Sequence, residues 1–210
     1  MSAVLQETFI HPTAIVEENV DIGAGTRIWD NVHIRHSTSI GNDCIVGEKS
    51  HIAYGVSIGD RVKINAFVYI CNAVTILDGV MISAGTVFTN DRFPRAATPD
   101  LLHLRPSEPD ETTLATLVRE GATIGAHCTI GCGLEIGRFA MVGMGALVTK
   151  SIPDFHLAIG TPARSIGIVC RCGRPLSRFE GDPESMNQNA ACEACGREYS
   201  VRQGRVSERV

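Results

Sequence analysis

Aliphatic residues recur at every sixth position along most of this chain, and this six-residue repeat is its dominant pattern. The series starts at Ile10, runs unbroken to Phe88, stops, and resumes from Val118 to Val148. The repeat positions are Ile10, Val16, Ile22, Ile28, Ile34, Ile40, Val46, Ile52, Ile58, Ile64, Ile70, Ile76, Ile82, Phe88, Val118, Ile124, Ile130, Ile136, Val142 and Val148. The regularity indicates a fold built from one small unit used many times.

A period of six matches neither an amphipathic helix, with a period of 3.6, nor a half-buried strand, with a period of 2. Six residues can form a short strand and a corner, and the β-branched repeat residues favour strands. Three units then make a triangular coil of 18 residues with the aliphatic side chains inside. Glycine often follows the repeat residue, as at Gly47 and Gly59, and we expect it to permit the turns. A sandwich with coincidental spacing is disfavoured because the phase persists, so we predict an all-β fold of stacked parallel coils.

The repeat is interrupted within the stretch TVFTNDRFPRAATPD, residues 86–100, which leads into a loop insertion at about 91–116. A loop of this length in a compact domain is usually functional or disordered. Its start, NDRFPR, alternates apolar and charged residues around Pro94, which restricts the backbone. We expect this segment, with Asp91 and Arg95, to form a lid over a substrate.

Residues 18 positions apart stack on one edge of such a helix, and side chains that flank an inward-facing residue point outward. Counting back from Asn90 and from its neighbours gathers polar and aromatic residues on one edge beneath the loop. They are His33, Arg35, His36, His51, Tyr54, Tyr69, Asn72 and Asn90. Simple solvation of an outer face is the alternative explanation, but histidine and tyrosine are poor choices for it. The edge is therefore a candidate binding site.

Composition limits the class of protein. The chain has 210 residues, of which 44% are hydrophobic and 5% aromatic, so the core must be aliphatic. The formal charge of −4 gives no reason to expect nucleic acid or an anionic membrane as a partner. No apolar run could span a bilayer, and the segment MSAVLQETFIHP lacks the features of a signal peptide. We expect a cytoplasmic protein.

The eight cysteines fall into two groups. Scattered through the repeat are Cys44, Cys71, Cys128 and Cys132, which we expect to be reduced packing residues. Near the end, a C-x-C pair and a C-x-x-C pair comprise Cys170, Cys172, Cys192 and Cys195. Four thiolates can hold Zn²⁺ in a closed, structural site. Glycine after each pair, Gly173 and Gly196, is expected to bring backbone N–H groups to sulfur. Free or redox-active thiols are the alternative.

The repeat resembles that of the hexapeptide-repeat acyltransferases, which implies a left-handed parallel β-helix and a homotrimer with active sites between subunits. VFTNDRFPRA followed by TLVREGATIGAHCTIGCG is similar to the nucleotide-sugar N-acetyltransferases that act on a 3-amino group. Among these, the UDP-2-acetamido-3-amino-2,3-dideoxy-glucuronate N-acetyltransferases of surface-polysaccharide biosynthesis are the most similar group. The resemblance covers residues 9–169, and it implies an acetyl-CoA-dependent transfer to a UDP- or dTDP-linked amino sugar.

The same resemblance assigns Asn90 to the reaction centre. An unprotonated sugar amine can attack a thioester directly once it is held in place, and the Asn90 amide could orient the amine or bind the oxyanion. A histidine base, from His33, His36 or His51, is the competing mechanism. Coenzyme A lies along the C-terminal coils in this family. The resemblance therefore points to Gly143, Gly145 and Ala146 for backbone N–H contacts and to Lys150 and Arg164 for the phosphates.

The sequence thus predicts two parts: residues 1–169, a β-helix acetyltransferase domain, and residues 170–210, a tail like a zinc ribbon. The tail has seven Arg against six Asp plus Glu, which provides no basic stripe for nucleic acid. A sugar O-acetyltransferase and a non-enzymatic scaffold are the rival functions. The sequence leaves the nucleotide, the exact sugar and the acyl group open.

Overall fold

A computed structural model describes residues 7–209 of the chain. Nearly every six-residue unit forms one strand of two or three residues that ends at the repeat position, followed by a turn. These strands are β1 (Phe9–Ile10), β2 (Ile15–Val16), β3 (Asp21–Ile22), β4 (Arg27–Ile28), β5 (His33–Ile34), β6 (Ser39–Ile40), β7 (Ile45–Val46), β8 (His51–Ile52), β9 (Ser57–Ile58), β10 (Lys63–Ile64), β11 (Tyr69–Ile70), β12 (Val74–Ile76), β13 (Met81–Ile82), β14 (Val87–Phe88), β15 (Thr116–Val118), β16 (Thr123–Ile124), β17 (Thr129–Ile130), β18 (Glu135–Ile136), β19 (Met141–Val142) and β20 (Leu147–Val148).

The strands stack into three parallel sheets that form the sides of a β-helix. One sheet has the order β2-β5-β8-β11-β14-β17-β20, a second contains β3, β6, β9, β12, β15 and β18, and the third begins β1-β4-β7-β10-β13-β16-β19. Paired residues are 18 apart, as His33 and His51 are. Across the loop, Val87 pairs with Thr129, so the register resumes on the far side. The predicted parallel β-helix is confirmed.

The turns lie three residues after the repeat positions, and φ is positive there in every unit from Val16 to Ile82 and from Val118 to Val142. The residues in this conformation include Asn19, Gly25, Asn31, Ser37, Asp43, Lys49, Gly55, Arg61, Phe67, Ala73, Gly79, Gly85, Gly121, His127, Gly133, Phe139 and Gly145. Most of these residues carry a side chain, so this position of the turn is not reserved for glycine.

The glycine that directly follows a repeat residue has another purpose. A Cβ on Gly47 would lie 2.6 Å from the carbonyl carbon of Asn65 in the next coil, and one on Gly125 would lie 2.5 Å from the amide nitrogen of Met144. These distances are shorter than any ordinary contact. Our expectation that these glycines permit the turns is wrong: they allow successive coils to approach closely.

The interior contains the repeat residues together with a second row four positions later. From Thr26 and Ile28 onward both rows are almost completely buried except for the half-buried Leu134, whereas Ile10 in the first coil is exposed. This second row includes hydroxyl groups, which donate to backbone carbonyls. Thr26 Oγ1 donates to the Gly41 oxygen at 2.7 Å, and Thr38 Oγ1 donates to the Ala53 oxygen at 3.0 Å. The buried polar groups are therefore satisfied. Cys44, Cys71 and Cys128 are buried free thiols, as expected, and Cys132 is half-buried.

After Val148 the repeat shortens. Ile136 pairs with Ile152 and Val142 with Ala158, so the last coil is two residues short. The chain then leaves the helix in β21 (His156–Gly160), β22 (Ala163–Val169) and β23 (Pro175–Arg178), which are antiparallel to one another.

The end of the chain forms a small antiparallel sheet from β24 (Asn187–Ala191), β25 (Glu198–Arg202) and β26 (Arg205–Arg209). A single 3₁₀ turn, Pro183–Ser185, is the only helical element of residues 7–209. Within that range, no helix is long and apolar enough to cross a membrane. The signal-peptide prediction concerns residues 1–12, the first six of which lie outside the described residues.

Candidate functional site

A polar corner row follows β5, β8, β11 and β14, two residues after each repeat position. It consists of His36, Tyr54, Asn72 and Asn90, as the 18-residue spacing predicted. The rings of His36 and Tyr54 stack with centroids 5.3 Å apart. Asn72 Nδ2 donates to the Tyr54 hydroxyl at 2.9 Å, and Asn90 Nδ2 donates to Asn72 Oδ1. From Tyr54 onward the row is therefore a chain of hydrogen bonds that ends at Asn90.

This chain determines which way the Asn90 amide faces. In the structure Asn72 directs its amino group at the Tyr54 hydroxyl, so its carbonyl oxygen faces Asn90, which presents its own amino group. Within residues 7–209, Asn90 Oδ1 has no hydrogen-bond partner. The site therefore offers a fixed acceptor at Asn90, suited to an N–H group of a ligand.

A second row lies on the outer face of the same sheet. His33 and His51 contact edge to face at 5.1 Å, and His51 stacks on Tyr69 at 5.4 Å. Burial is the largest cause of a lowered pKa at His51, and the nearby charges of His33 and Arg35 lower it further. The prediction that these rings share one edge is confirmed.

Sequence reasoning missed Glu17, which organises this edge. Its carboxylate contacts His33 Nε2 at 2.8 Å and Arg35 Nε at 2.6 Å, and it accepts the His36 backbone N–H at 3.0 Å. Desolvation raises the pKa of Glu17, but the hydrogen bonds from Arg35, the His36 amide and His33 outweigh it and lower the pKa to about 2. The 18-residue count could have found Glu17, since it lies one coil before Arg35.

The loop over residues 91–115 is closed at its base. The Leu114 N–H donates to the Asn90 carbonyl at 2.8 Å, and Asp91 forms a β-bridge with Thr113. Asp91 Oδ1 also accepts from the Phe93 N–H at 3.0 Å and from Thr112 Oγ1 at 3.2 Å. Asp91 thus fixes the loop, which leaves the β-helix at Asn90 and returns beside it.

The loop and the corner row enclose a small cavity of about 110 Å³. Four predicted residues line it together: Asn72, Asn90, Asp91 and Arg95. Arg105 lines it as well and was not predicted from the sequence, because only the return of the loop brings it there. Among residues 7–209 no histidine lines this cavity. His33, Arg35, His36, His51, Tyr54 and Tyr69 lie instead along the edge that leads to it.

The residues predicted to contact coenzyme A differ in their exposure and in whether their backbone N–H groups are free. The Gly143 N–H donates to the Ala158 carbonyl and the Gly145 N–H to the Ala126 carbonyl, each at 2.8 Å. These N–H groups bind neighbouring coils and are not available to a ligand, which corrects our expectation for them. Ala146 is buried. Gly145 is exposed, and no atom lies within 4 Å of where its Cβ would be, so this corner is open surface.

Lys150 and Arg164 lie in the same part of the surface, and their role in binding the phosphates of coenzyme A stays a prediction. Both line one cleft of about 550 Å³ between the last coils and the tail. The structure therefore supplies a positively charged surface beyond Gly145, towards the C-terminal end of the β-helix.

The four tail cysteines converge. The sulfur atoms of Cys170, Cys172, Cys192 and Cys195 all lie within 4.8 Å of one another. Cys170 Sγ is 3.4 Å from Cys195 Sγ, and Cys172 Sγ is 3.6 Å from Cys192 Sγ. Tetrahedral zinc with bonds of about 2.3 Å separates its sulfur ligands by roughly 3.8 Å. The donor set fits Zn²⁺ and leaves no open position for chemistry.

The glycines of the cysteine motifs do not contact sulfur. The Gly173 N–H donates to the Cys170 carbonyl and the Gly196 N–H to the Cys192 carbonyl, both at 2.8 Å. Cys170 Sγ instead lies 3.1 Å from the buried Tyr199 hydroxyl. The glycines thus shape the turns, which corrects the predicted role.

The sequence is similar to known protein families and to individual known proteins. Models of the bacterial transferase hexapeptide (six repeats) match residues 19–54 and 55–90, and the hexapeptide repeat of succinyl-transferase matches 37–72 and 120–150. The chain is 48% identical over 209 residues to a dTDP-3-amino-3,6-dideoxy-alpha-D-galactopyranose 3-N-acetyltransferase of Aneurinibacillus thermoaerophilus. The match covers 99% of this chain and 98% of that one. The chain belongs to the hexapeptide-repeat acyltransferase family.

More distant relatives match parts of this acyltransferase. An acyl-[acyl-carrier-protein]–UDP-N-acetylglucosamine O-acyltransferase of Brucella ovis is 48% identical over 40 residues, which is 19% of this chain and 14% of that protein. The solved structure of WeeI from Acinetobacter baumannii AYE is 25% identical with a TM-score of 0.47, and the match covers 73% of this chain and 55% of that one.

Proposed function

We propose that this acyltransferase moves the acetyl group of acetyl-CoA to the 3-amino group of a dTDP-linked 3-amino-3,6-dideoxyhexose. The product would serve the synthesis of a surface polysaccharide or glycoconjugate in the cytoplasm. The observation that carries the proposal is the fixed acceptor, Asn90 Oδ1, at the small cavity beneath the loop. The near full-length similarity to a 3-N-acetyltransferase of a dTDP-linked sugar supports the choice of nucleotide and sugar.

The reaction needs orientation more than proton transfer. The sugar amine donates one N–H to Asn90 Oδ1, which turns its lone pair towards the thioester carbonyl carbon. A C–N bond forms there, the tetrahedral adduct expels the thiolate of coenzyme A as the C–S bond breaks, and the proton lost by nitrogen leaves with that thiolate. The residues act by aligning the amine, which attacks in its unprotonated form.

The absence of histidine from the cavity among the described residues favours this route over a histidine base. His51 is two coils from Val87, and His36 is three coils from Asn90. These separations are about 10 and 14 Å at ~4.8 Å per coil. His33 is already paired with Glu17. We assign the histidines, with Tyr54, Tyr69 and Arg35, to binding of the nucleotide sugar along the edge.

The remaining assignments extend the same proposal. Asp91 holds the lid, and Arg95 is exposed at the mouth of the cavity, where it can contact the sugar or its diphosphate. The phosphates of coenzyme A bind at Lys150 and Arg164, in the cleft at the C-terminal end of the β-helix. The enzyme acts as a homotrimer in which a second copy completes each site. The tail holds one structural Zn²⁺ on its four cysteines.

The test is a thiol-release assay with acetyl-CoA and a panel of dTDP- and UDP-linked sugars. Each 3-amino sugar is matched with its 3-hydroxy counterpart. We expect turnover of dTDP-linked 3-amino sugars, with a mass gain of one acetyl group on nitrogen. Acetylation of the hydroxyl sugars alone would show that the protein is an O-acetyltransferase and not an N-acetyltransferase. If no acyl-CoA supports turnover, the result would favour the rival function, in which the β-helix is a non-enzymatic scaffold.

A further inference from the structure

The cleft at the end of the β-helix is built from both parts of the chain. One wall comes from the last coil and β22, and the other from the tail. Its lining includes Lys150, His156 and Arg164 on the first side and Asp182, Glu184 and Arg205 on the second. The tail therefore does more than follow the β-helix: it forms half of a cleft.

Three exposed cations face this cleft: Lys150, Arg164 and Arg205. Within residues 7–209, no carboxylate oxygen lies within 4.0 Å of their charged nitrogens. Asp182 and Glu184 also line the cleft, but Asp182 Oδ1 accepts the Glu184 N–H at 3.1 Å and caps the 3₁₀ turn. The cleft thus has cations in excess, as a site for phosphate groups requires.

The cleft is connected to the reaction centre by the corner row. Phe88 pairs with Ile130, and Ile130 pairs with Val148. Two positions after Phe88, Ile130 and Val148 lie Asn90, Cys132 and Lys150, respectively. Lys150 therefore lies on the same corner as Asn90, two coils further on, at about 10 Å along the axis. A donor with its thioester at Asn90 and its phosphates in the cleft would follow this single corner.

Arg205 is held in place by contacts with the β-helix. It begins β26, after a two-residue hairpin turn in which Gln203 and Gly204 have φ of 49° and 71°, values typical of type I′ turns. His156 Nε2 donates to the Gly204 carbonyl at 2.8 Å, and Ser165 Oγ lies 2.9 Å from His156 Nδ1. This buried imidazole ties the hairpin tip to the last coil, so Arg205 has a defined position beside Lys150 and Arg164.

We propose that Arg205 of the tail completes the phosphate site for coenzyme A, together with Lys150 and Arg164. This inference rests on the proposed acetyl-CoA-dependent function. It gives the tail a role in donor binding, because the cations of the β-helix alone enclose only one side of the nucleotide. The tail metal site supports this role from a distance, since β25 carries Tyr199 to Cys170 and leads into the hairpin that bears Arg205.

The experiment compares Arg205→Ala with Arg178→Ala, a matched control that removes an exposed tail arginine outside the cleft. Calorimetry measures binding of coenzyme A, and kinetics compare acetyl-CoA with acetyl-pantetheine, which lacks the nucleotide and its phosphates. We expect Arg205→Ala to raise the Kd for coenzyme A about tenfold and to raise the KM for acetyl-CoA similarly. Arg205→Lys should recover part of the loss.

Turnover with acetyl-pantetheine, and the KM for the amino sugar, should be the same in Arg205→Ala as in the wild type. That result, with an unchanged zinc content, excludes misfolding of the tail. Wild-type affinity for coenzyme A in an active Arg205→Ala enzyme would overturn the inference and leave the proposed function intact. If the wild type neither binds coenzyme A nor transfers acetyl groups, the proposed function fails and this inference fails with it.

Discussion

The hydrogen-bond chain to Asn90 predicts a specific effect of replacing Tyr54 by phenylalanine. The substitution removes the hydroxyl that accepts from Asn72 Nδ2 at 2.9 Å. Asn72 is only 8% exposed, so its amide cannot readily turn to water. Without its partner, the Asn72 amide can flip, and Asn90 would then present its amino group to the substrate instead of its oxygen.

The magnitude follows from that one bond. A neutral hydrogen bond contributes about 1 kcal/mol net, which corresponds to roughly a fivefold preference for the productive orientation. Loss of that preference lowers the fraction in the productive orientation from about five in six to about one in two, so we expect Tyr54→Phe to lower kcat about twofold with saturating acetyl-CoA. Asn90→Ala removes the acceptor altogether, and loss of alignment at a reacting centre costs on the order of a hundredfold.

A double-mutant cycle separates this mechanism from a simple loss of contact. In the Asn90→Ala background, Tyr54→Phe should have no further effect on kcat, because the amide that it orients is gone. Tyr69→Phe, on the neighbouring row, is the control and should act independently of Asn90. Thiol release under saturating donor and acceptor gives all the rates. Additive effects of Tyr54→Phe and Asn90→Ala would refute the argument that the hydroxyl acts through Asn90.

Three further perturbations test the metal, the edge and the coil packing. Replacing Cys192 and Cys195 together by serine should abolish zinc binding in metal analysis and lower Tm, and full retention of zinc would reject the four-cysteine site. The depressed pKa of Glu17, about 2 against an ordinary 4.5, means that its ionised form stabilises the fold above pH 4.5 and that this contribution is lost as the pH falls towards 2. Glu17→Gln should therefore show a smaller decrease of the urea midpoint over that range than the wild type, and parallel curves would contradict this. Gly47→Ala should destabilise by about 1–3 kcal/mol in urea unfolding because its Cβ meets the next coil. The control Gly55→Asn, at an open corner, should cost less than about 1 kcal/mol.

Much of this molecule could be predicted because one short pattern sets both its interior and its edges. A six-residue period places the repeat residues from Ile28 onward inside, and its multiple of 18 brings residues as distant in sequence as His33 and Tyr69 onto one face. The position of the loop and the corner row ending at Asn90 followed from the same count. Long-range contacts are ordinarily hidden from a single sequence, but here they follow from simple arithmetic.

The features that the sequence did not predict depend on contacts that do not recur with the six-residue or 18-residue period. Arg105 reaches the cavity because the loop returns on itself, and no spacing encodes such a path. Arg205 reaches the cleft because a hairpin tip packs on His156, after the repeat has already lost two residues. The predicted role of the glycines is wrong for a related reason. Only the three-dimensional structure reveals that the residue after the repeat position contacts the backbone of the next coil.

The position of the break in the repeat fits the two ligands of the proposed function. An insertion at a corner leaves the strands on either side in register, as the pairing of Val87 with Thr129 shows, so the β-helix tolerates a loop there without losing its core. The coils before Asn90 carry the aromatic and charged rows that suit a nucleotide sugar. The coils after it lead to the cations Lys150 and Arg164 at the C-terminal end of the β-helix. Under the proposed function, a loop between these halves covers the point where the acceptor amine and the donor thioester meet. Moving it by a single coil would separate the lid from Asn90 by about 5 Å and leave that meeting point open to water.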